Sequence, residues 1–274
     1  MPATPTLPAA LLHHAALGGE EPWLFRAEGW DWRWHPWGEV ARWVTAWAQA
    51  LSSLPPASRT AFSYAPRPVA VALDLAIQAA GLVPVPVSGP AEGRDALFWV
   101  EIEGEAGIPA PEGMEIVRVG IPSKVSPIGG VVERTGGGWE EMAERVQAEI
   151  GMPLRKGLRE IVVLSGPLER PEERAMLSWA TVAGAAVVLE PNPALRVATA
   201  AWVRPTVFHG TAEELGGLRG WVEKEGKGFW RRGPGLPFRR LRTVLVAGDE
   251  ALDGGSEAFW RERSVRVGRV LDLP

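Results

Sequence analysis

Residues 158–210 read LREIVVLSGPLERPEERAMLSWATVAGAAVVLEPNPALRVATAAWVRPTVFHG. Three short apolar runs punctuate the stretch: Ile161–Leu164, Ala185–Leu189 and Thr206–Phe208. Runs this short, bounded by Gly and Pro, suit strands covered on both faces. The segments between them space their apolar residues as helices do. Strand, helix and strand in alternation imply right-handed βαβ units and a parallel sheet. The chain therefore reads as an α/β protein.

Outward from this stretch the alternation continues. Towards the N-terminus, Val40, Trp43, Val44, Trp47, Leu51 and Leu54 form a helical stripe that Pro55-Pro56 ends. Thr60–Tyr64 reads as a short strand. Val69, Ala72, Leu73, Ala76, Ile77 and Ala80 make a second helical stripe, with Gly81 placed to cap it. Leu82–Val87, LVPVPV, carries two prolines and so belongs at a sheet edge or in an extended segment. Leu97–Glu103 and Met114–Val119 are further strands. Ile121–Gly130 is loop-like and marks a boundary between two lobes, residues 1–128 and 129–274, each expected to hold a mainly parallel sheet flanked by helices. In the second lobe a helix presents Trp139, Met142, Ala143, Val146 and Ile150 on one face. Ala212–Glu225 reads as a polar, exposed helix. Lys227–Arg240 is basic with Phe229, Trp230 and Phe238 interleaved. Leu241–Val246, Ser256–Arg263 and Val265–Leu271 read as strand, helix and strand.

Residues 23–47 hold seven of the 14 tryptophans. In Trp30-Asp31-Trp32-Arg33-Trp34 the alternation predicts a strand with one aromatic face. That face is a hairpin packed on its own lobe, a stacking platform for a ligand, or an interface.

The 274 residues suffice for one large or two small domains. With 46% hydrophobic and 23% charged residues the composition is that of an ordinary soluble protein. A net charge of -4 supplies no electrostatic reason to expect nucleic acid or an anionic membrane as partner. No apolar run approaches the roughly 18–20 residues of a membrane span. The N-terminus has no Lys or Arg before its apolar part, unlike a signal peptide, so the expected location is the cytoplasm. Only four of the 29 basic residues are lysine, Asn192 is the sole asparagine, and prolines are many. That bias fits a heat-adapted source or a GC-rich genome.

Several chemistries are excluded. With no cysteine, the chain has no disulfide, thiolate nucleophile or Cys-based metal site. His13, His14, His35 and His209 contain no i, i+4 pair of the zinc type, so each reads as structural or solvated. Ser165-Gly166 follows a strand, but Leu164 and Pro167 flank it where a nucleophile elbow needs glycines. No Gly-X-Gly-X-X-Gly opens a helix, and Gly216-Gly217 and Gly254-Gly255 read as turns. Asp249 and Glu250 with Asp253 either hold a metal or form an acidic loop capping the helix that starts at Ser256.

Taken in order, these elements resemble the large N-terminal domain of the acyl-adenylate-forming enzymes, which include acyl-CoA synthetases, peptide-synthetase adenylation domains and firefly luciferase. ALDLAIQAAGLVPVPV (72–87) is similar to that family's early helix–strand pair. GAAVVLEPNP (184–193) and RPTVFHG (204–210) resemble its Gly-Ala-X-Val-Val-Leu … Pro-Thr segment, and LRTVLVAGDEAL (241–252) its Leu-Arg … Gly-Gly-Glu-X-Leu segment. The likeness covers nearly the whole chain. It implies vestigial ligand positions at Thr135, Gly136, Gly137 and Gly138, at His209 and Gly210, and at Gly248, Asp249 and Glu250.

Departures from the family pattern shape the expected function. The family's phosphate loop is rich in Ser, Thr and Gly and ends in Pro-Lys-Gly. Here the matching place reads Thr135-Gly136-Gly137-Gly138-Trp139-Glu140-Glu141, with no lysine. Glycine amides can face an anion, but carboxylates in the first helical turn repel one. The final run VRVGRVLDLP (265–274) ends where the family's Tyr-Gly-X-Thr-Glu would begin. The expectation is a truncated, non-catalytic relative with no catalytic residue, no metal and no cofactor, binding a small acyl or nucleotide-like ligand, a protein partner or a second copy of itself. The alternatives are a ligase subunit that uses ATP and magnesium only with a separate chain supplying the missing motifs, and an interaction protein using the scaffold as a surface.

Overall fold

The computed structural model describes residues 6–28, 31–64, 67–89, 95–105, 107–122, 139–150, 159–164, 170–190, 192–225, 240–248 and 251–270. The chain divides into two compact units, residues 1–140 with 166–170, and residues 141–165 with 171–274. The boundary expected at 128/129 lies outside the described residues, as do Lys227–Phe238.

The first unit holds α1 (Leu7–Gly18), β1 (Pro22–Glu28), β2 (Asp31–Pro36), α2 (Trp37–Leu51), β3 (Arg59–Ser63), α3 (Pro68–Ala79), β4 (Val83–Val87), β5 (Phe98–Ile102) and β6 (Glu115–Val119). Helix α1 does not stand out in the sequence, because its Ala and Leu residues are spread around the helix rather than gathered in a stripe. Thr6 caps it, accepting from the Ala9 amide at 3.4 Å. Helix α2 buries the expected face: Val40, Trp43, Val44, Trp47 and Leu51 are all in the core, and the Trp47 indole N–H donates to the Gly120 carbonyl at 2.7 Å. The helix stops at Leu51, so Leu54 lies beyond it. Strands β1 and β2 form the antiparallel hairpin. Trp34 on β2 is 49% exposed, so the aromatic face of that strand is not a core face. Trp23 instead stacks on Trp37, 4.2 Å between ring centres and 10° from parallel.

Strands β4-β3-β5-β6 form a parallel sheet in that order. Pro84 and Pro86 place β4 at its edge, as VPVPV requires. Gly81, with φ +77°, turns the chain out of α3 into β4, a conformation that costs glycine no Cβ clash.

The second unit runs α4 (Trp139–Ile150), β7 (Ile161–Leu164), α5 (Pro171–Ala183), β8 (Ala186–Leu189), a 3-10 turn at Pro193–Leu195, α6 (Arg196–Val203), β9 (Val207–Gly210), α7 (Ala212–Glu225), β10 (Thr243–Val246), α8 (Gly254–Glu262) and β11 (Arg266–Arg269). Its strands lie in the order β11-β10-β9-β7-β8, and every pair is parallel. Strands β8, β9 and β10 are buried along their length, which explains their unbroken apolar runs. Two expectations are corrected here. Gly216-Gly217 lie inside α7 and Gly254-Gly255 open α8, so neither pair is a turn. A glycine costs a helix about 1 kcal/mol, and side-chain caps at both helix starts together with tertiary packing outweigh it. Nor is α7 fully exposed: Leu215 and Leu218 are completely buried.

Both sheets share one feature of strand order. In each, the first of the parallel strands in sequence has the second on one side and the third on the other: β3 lies between β4 and β5, and β7 between β8 and β9. Connections that leave such a strand pair in opposite directions open a crevice beyond the strands' carboxyl ends, where ligands of open α/β sheets bind.

Candidate functional site at the carboxyl edge of the second sheet

The switch point of the second sheet lies between β7 and β9. His209 and Gly210 are the last residues of β9, and Gly248 follows β10. Parallel pairing sets Gly210 against Val246, and the Ala247 amide donates to the Gly210 carbonyl at 2.8 Å. The fold thus brings His209, Gly210 and Gly248 to one edge. Gly248 is exposed with φ +74°, so the backbone after β10 turns sharply at the surface. The other sequence candidates, Thr135, Gly136, Gly137, Gly138, Asp249 and Glu250, lie outside the described residues.

His209 does not face solvent. Its side chain is fully buried, and its Nδ1 lies 3.4 Å from Oε1 of Glu173, itself 4% exposed. Glu173 comes from the first turn of α5, the helix that follows β7. The pair therefore spans the crevice where β7 and β9 diverge, and plugs it.

An acidic residue also follows each neighbouring strand. Beyond β8, Glu190 is buried; it accepts from the Thr199 hydroxyl at 2.8 Å and from the Asn192 amide at 3.0 Å. Beyond β9, Glu214 and Thr211 form a reciprocal cap on α7: the Thr211 amide donates to Glu214 at 2.9 Å and the Glu214 amide to the Thr211 hydroxyl at 3.3 Å. Glu214 also pairs with Arg196 of α6, whose side chain is 7% exposed. Beyond β10, Asp253 caps α8, accepting from the Ser256 amide at 2.9 Å and the Ser256 hydroxyl at 2.6 Å. The bond from the Ser256 hydroxyl, then that from its amide, hold the Asp253 carboxyl below the usual aspartate range. Of the two readings of Asp253, helix cap and metal ligand, its contacts are those of a cap. No cluster able to hold a metal ion occurs among the described residues, and none of their helices is long and apolar enough to cross a membrane.

The sequence reading missed Glu173, Glu190, Arg196 and Glu214. A signal existed for one of them: Thr211-X-X-Glu214 has the spacing of a capping box. Glu173 and Glu190 carry no local signature, since their partners are distant in sequence or set by a loop.

A comparison with family models finds no match, and neither does one with curated proteins. Solved structures do match. The nonribosomal peptide synthetase FmoA3, in its AMPPNP-bound form, superimposes over 97% of this chain with a TM-score of 0.76 at 16% identity. The N-terminal domain of FACL13 from Mycobacterium tuberculosis superimposes over 97% with a TM-score of 0.70 at 10% identity. The long-chain-fatty-acid-CoA ligase FadD1 from Archaeoglobus fulgidus gives 0.68 over 97% at 12% identity. The fold is that of the N-terminal region of the acyl-adenylate-forming enzymes. This chain spans 31% of the peptide synthetase, 76% of the FACL13 domain and 63% of the FadD1 ligase. Of the segments that carry the sequence resemblance, residues 72–87 fall on α3 and β4, 184–189 and 207–210 include β8 and β9, and 243–246 are β10.

Proposed function

We propose that this protein is a binding relative of the adenylate-forming enzymes, holding a small acyl or nucleotide-like ligand or a protein partner, and that it does not itself activate carboxylic acids with ATP. The observation that carries this reading is the carboxylate after each of β7, β8, β9 and β10. Helix N-termini at such an edge are ready anion sites, because their first amides are unpaired and the helix dipole favours negative charge. Here Glu173, Glu214 and Asp253 occupy the first turns or caps of α5, α7 and α8. A triphosphate brought to this edge meets like charge, and Arg196 is already engaged by Glu214. On this reading the acidic edge is unsuited to a triphosphate. The sequence beyond Gly136–Gly138 points the same way, with Glu140 and Glu141 where the family resemblance calls for a lysine.

Adenylation depends on holding the triphosphate, neutralising its charge and aligning the reacting oxygen with the α-phosphorus. Millimolar Mg-ATP should leave the melting temperature unchanged, since a ligand shifts stability only by binding the folded state. Pyrophosphate release with fatty, aromatic and amino acids should stay at background. Release that Gly137→Trp abolishes would overturn the proposal. Release that appears only on adding a lysine-bearing partner chain would replace it with that of a ligase subunit.

A further inference from the structure

The switch point of the first sheet is built differently. A cavity of about 460 Å³ opens there, at the carboxyl ends of β3 and β5. That volume lies within the roughly 300–1,000 Å³ of small-ligand pockets. Three tethers hold its walls in place. The Ile108 amide donates to the Ser63 hydroxyl at 3.0 Å, which pins the segment returning to β6 against the end of β3. Arg67, at the start of α3, donates to Glu105 at 2.8 Å. Arg118 of β6 donates to Glu101 of β5 at 3.1 Å. Beside the first tether, Gly107 approaches Ser63 so closely that a Cβ there would lie 3.2 Å from the Ser63 Cβ.

Charge decides what does not fit. Both guanidiniums of the lining are matched one to one by carboxylates, so neither offers an unpaired positive charge to an anion. The same pairs occupy Glu101 and Glu105, so neither offers an unpaired negative charge to a cation. Glu103 also lines the cavity, but it is exposed, where solvent screens its charge. An ion of either sign gains a partner here only by leaving another charge without one.

Hydrogen-bonding capacity remains where free charge does not. A guanidinium carries five N–H groups; Arg67 places Nη1 on Glu105, and Arg118 places Nε on Glu101. Each carboxylate is engaged there through Oε2, and a carboxylate has about four acceptor sites. The Ser63 hydroxyl accepts from Ile108 and has its own hydrogen to donate. Donors and acceptors thus stand side by side in fixed pairs. A hydroxyl group both donates and accepts at one atom, so a molecule with several of them answers this set and opens neither ion pair. Apolar surface from Val69, Leu73 and Ile108 suits the C–H face of a ring. We propose that this cavity binds a small neutral polyhydroxylated ring, a monosaccharide or cyclic polyol, through hydrogen bonds to the Arg67–Glu105 and Arg118–Glu101 pairs. The site shares no residue with the acidic edge of the second unit, so it goes beyond the function proposed above.

The test is saturation-transfer NMR of the full chain with glucose, galactose, mannose, xylose and myo-inositol. Benzoate, benzylamine and cyclohexanol are the controls: an anion, a cation and a ring with a single hydroxyl. At least one polyol should bind, and more tightly than all three controls. Raising NaCl from about 0.05 to about 0.5 M should change its affinity by no more than about twofold, because salt screens ions and not neutral ligands. Arg67→Met and Arg118→Met should each weaken it by roughly tenfold, the loss expected for a hydrogen bond to a charged group. Circular dichroism verifies folding of each variant. The Arg118 side chain is 62% exposed, so Arg118→Met is the variant expected to fold in any case, and it decides alone if Arg67→Met does not fold. The proposal is overturned if no polyol binds, if any control binds at least as tightly, if salt changes the affinity by more than about twofold, or if either variant folds and binds the polyol unchanged. Silence towards Mg-ATP in the same experiment bears only on the second unit.

Discussion

At the carboxyl end of β9 the crevice between diverging strands is filled by Glu173 and the fully buried His209. At the carboxyl end of β3 the equivalent crevice is a cavity of about 460 Å³. Strand order is alike at the two places, with the first of the parallel strands flanked by the second and third. What differs is the first turn of the helix that follows. Helix α5 sends Glu173 into the gap, whereas α3 begins at Arg67-Pro68 with no acidic residue and no side-chain cap. Topology determines where a crevice forms; a residue or two at a helix start determines whether a ligand can enter it.

The comparison can be broken or sharpened by experiment. The largest effect concerns the support beneath the first crevice. Trp47 is 2% exposed, and Trp47→Ala should cost about 3–5 kcal/mol in urea unfolding. A loss under about 1 kcal/mol would show that α2 does not anchor the unit containing the cavity.

Next comes the plug. Glu173→Ala leaves His209 buried without its carboxylate and should destabilise by about 1–3 kcal/mol. The paired replacement Glu173→Leu with His209→Phe should recover most of that, because a buried polar pair exchanged for apolar groups of similar size is often neutral. A double variant no better than the single one would mean that the pair does more than fill space.

A smaller loss, about 1 kcal/mol, is expected for Thr211→Ala, which removes one half of the α7 cap. Thermal melting checks it; an unchanged melting temperature would mean that Glu214 alone satisfies the helix start.

The smallest effect is in pH. The Asp253 carboxyl titrates below its ordinary value in the folded protein. Its contribution is therefore complete above the unfolded value of about 4 and is lost as pH falls through the lower folded value. Melting curves of wild type and Asp253→Asn should run parallel at neutral pH and converge in acid, since asparagine still caps but does not titrate. Curves that stay parallel down to about pH 3 would remove this carboxylate from the account.

Much of the architecture was legible because it rests on local pattern. The runs at 161–164, 185–189 and 206–208 became β7, β8 and β9, and Trp43 and Trp47 fell on the buried face of α2. The prolines of LVPVPV confine that run to a sheet edge or an extended segment, and β4 lies at an edge. Pattern failed where it is weak or overridden. Helix α1 has no stripe to detect, and the glycine pairs of α7 and α8 read as turns because caps and packing are invisible to a count of helix breakers. The candidate site was legible only in part. Glycines and a histidine at strand ends stood out, and His209, Gly210 and Gly248 do meet at one edge. That His209 is sealed could not be read, because its partner Glu173 is 36 residues earlier and looks like any helix-opening glutamate. The cavity of the first unit escaped for a similar reason: Arg67 and Glu105 are 38 residues apart, joined only by the fold.

The prolines of β4 have one more consequence. The Val83 amide donates to the Ser58 carbonyl and the Val87 carbonyl accepts from the Tyr64 amide, so alternate residues of β4 face β3. The residues between them, facing outward, include Pro84 and Pro86, which have no N–H. The free margin of this sheet can accept hydrogen bonds but at those positions cannot donate them. A stray strand laid along it would find half its partners missing, so this margin resists the edge-to-edge growth by which exposed sheets seed aggregates.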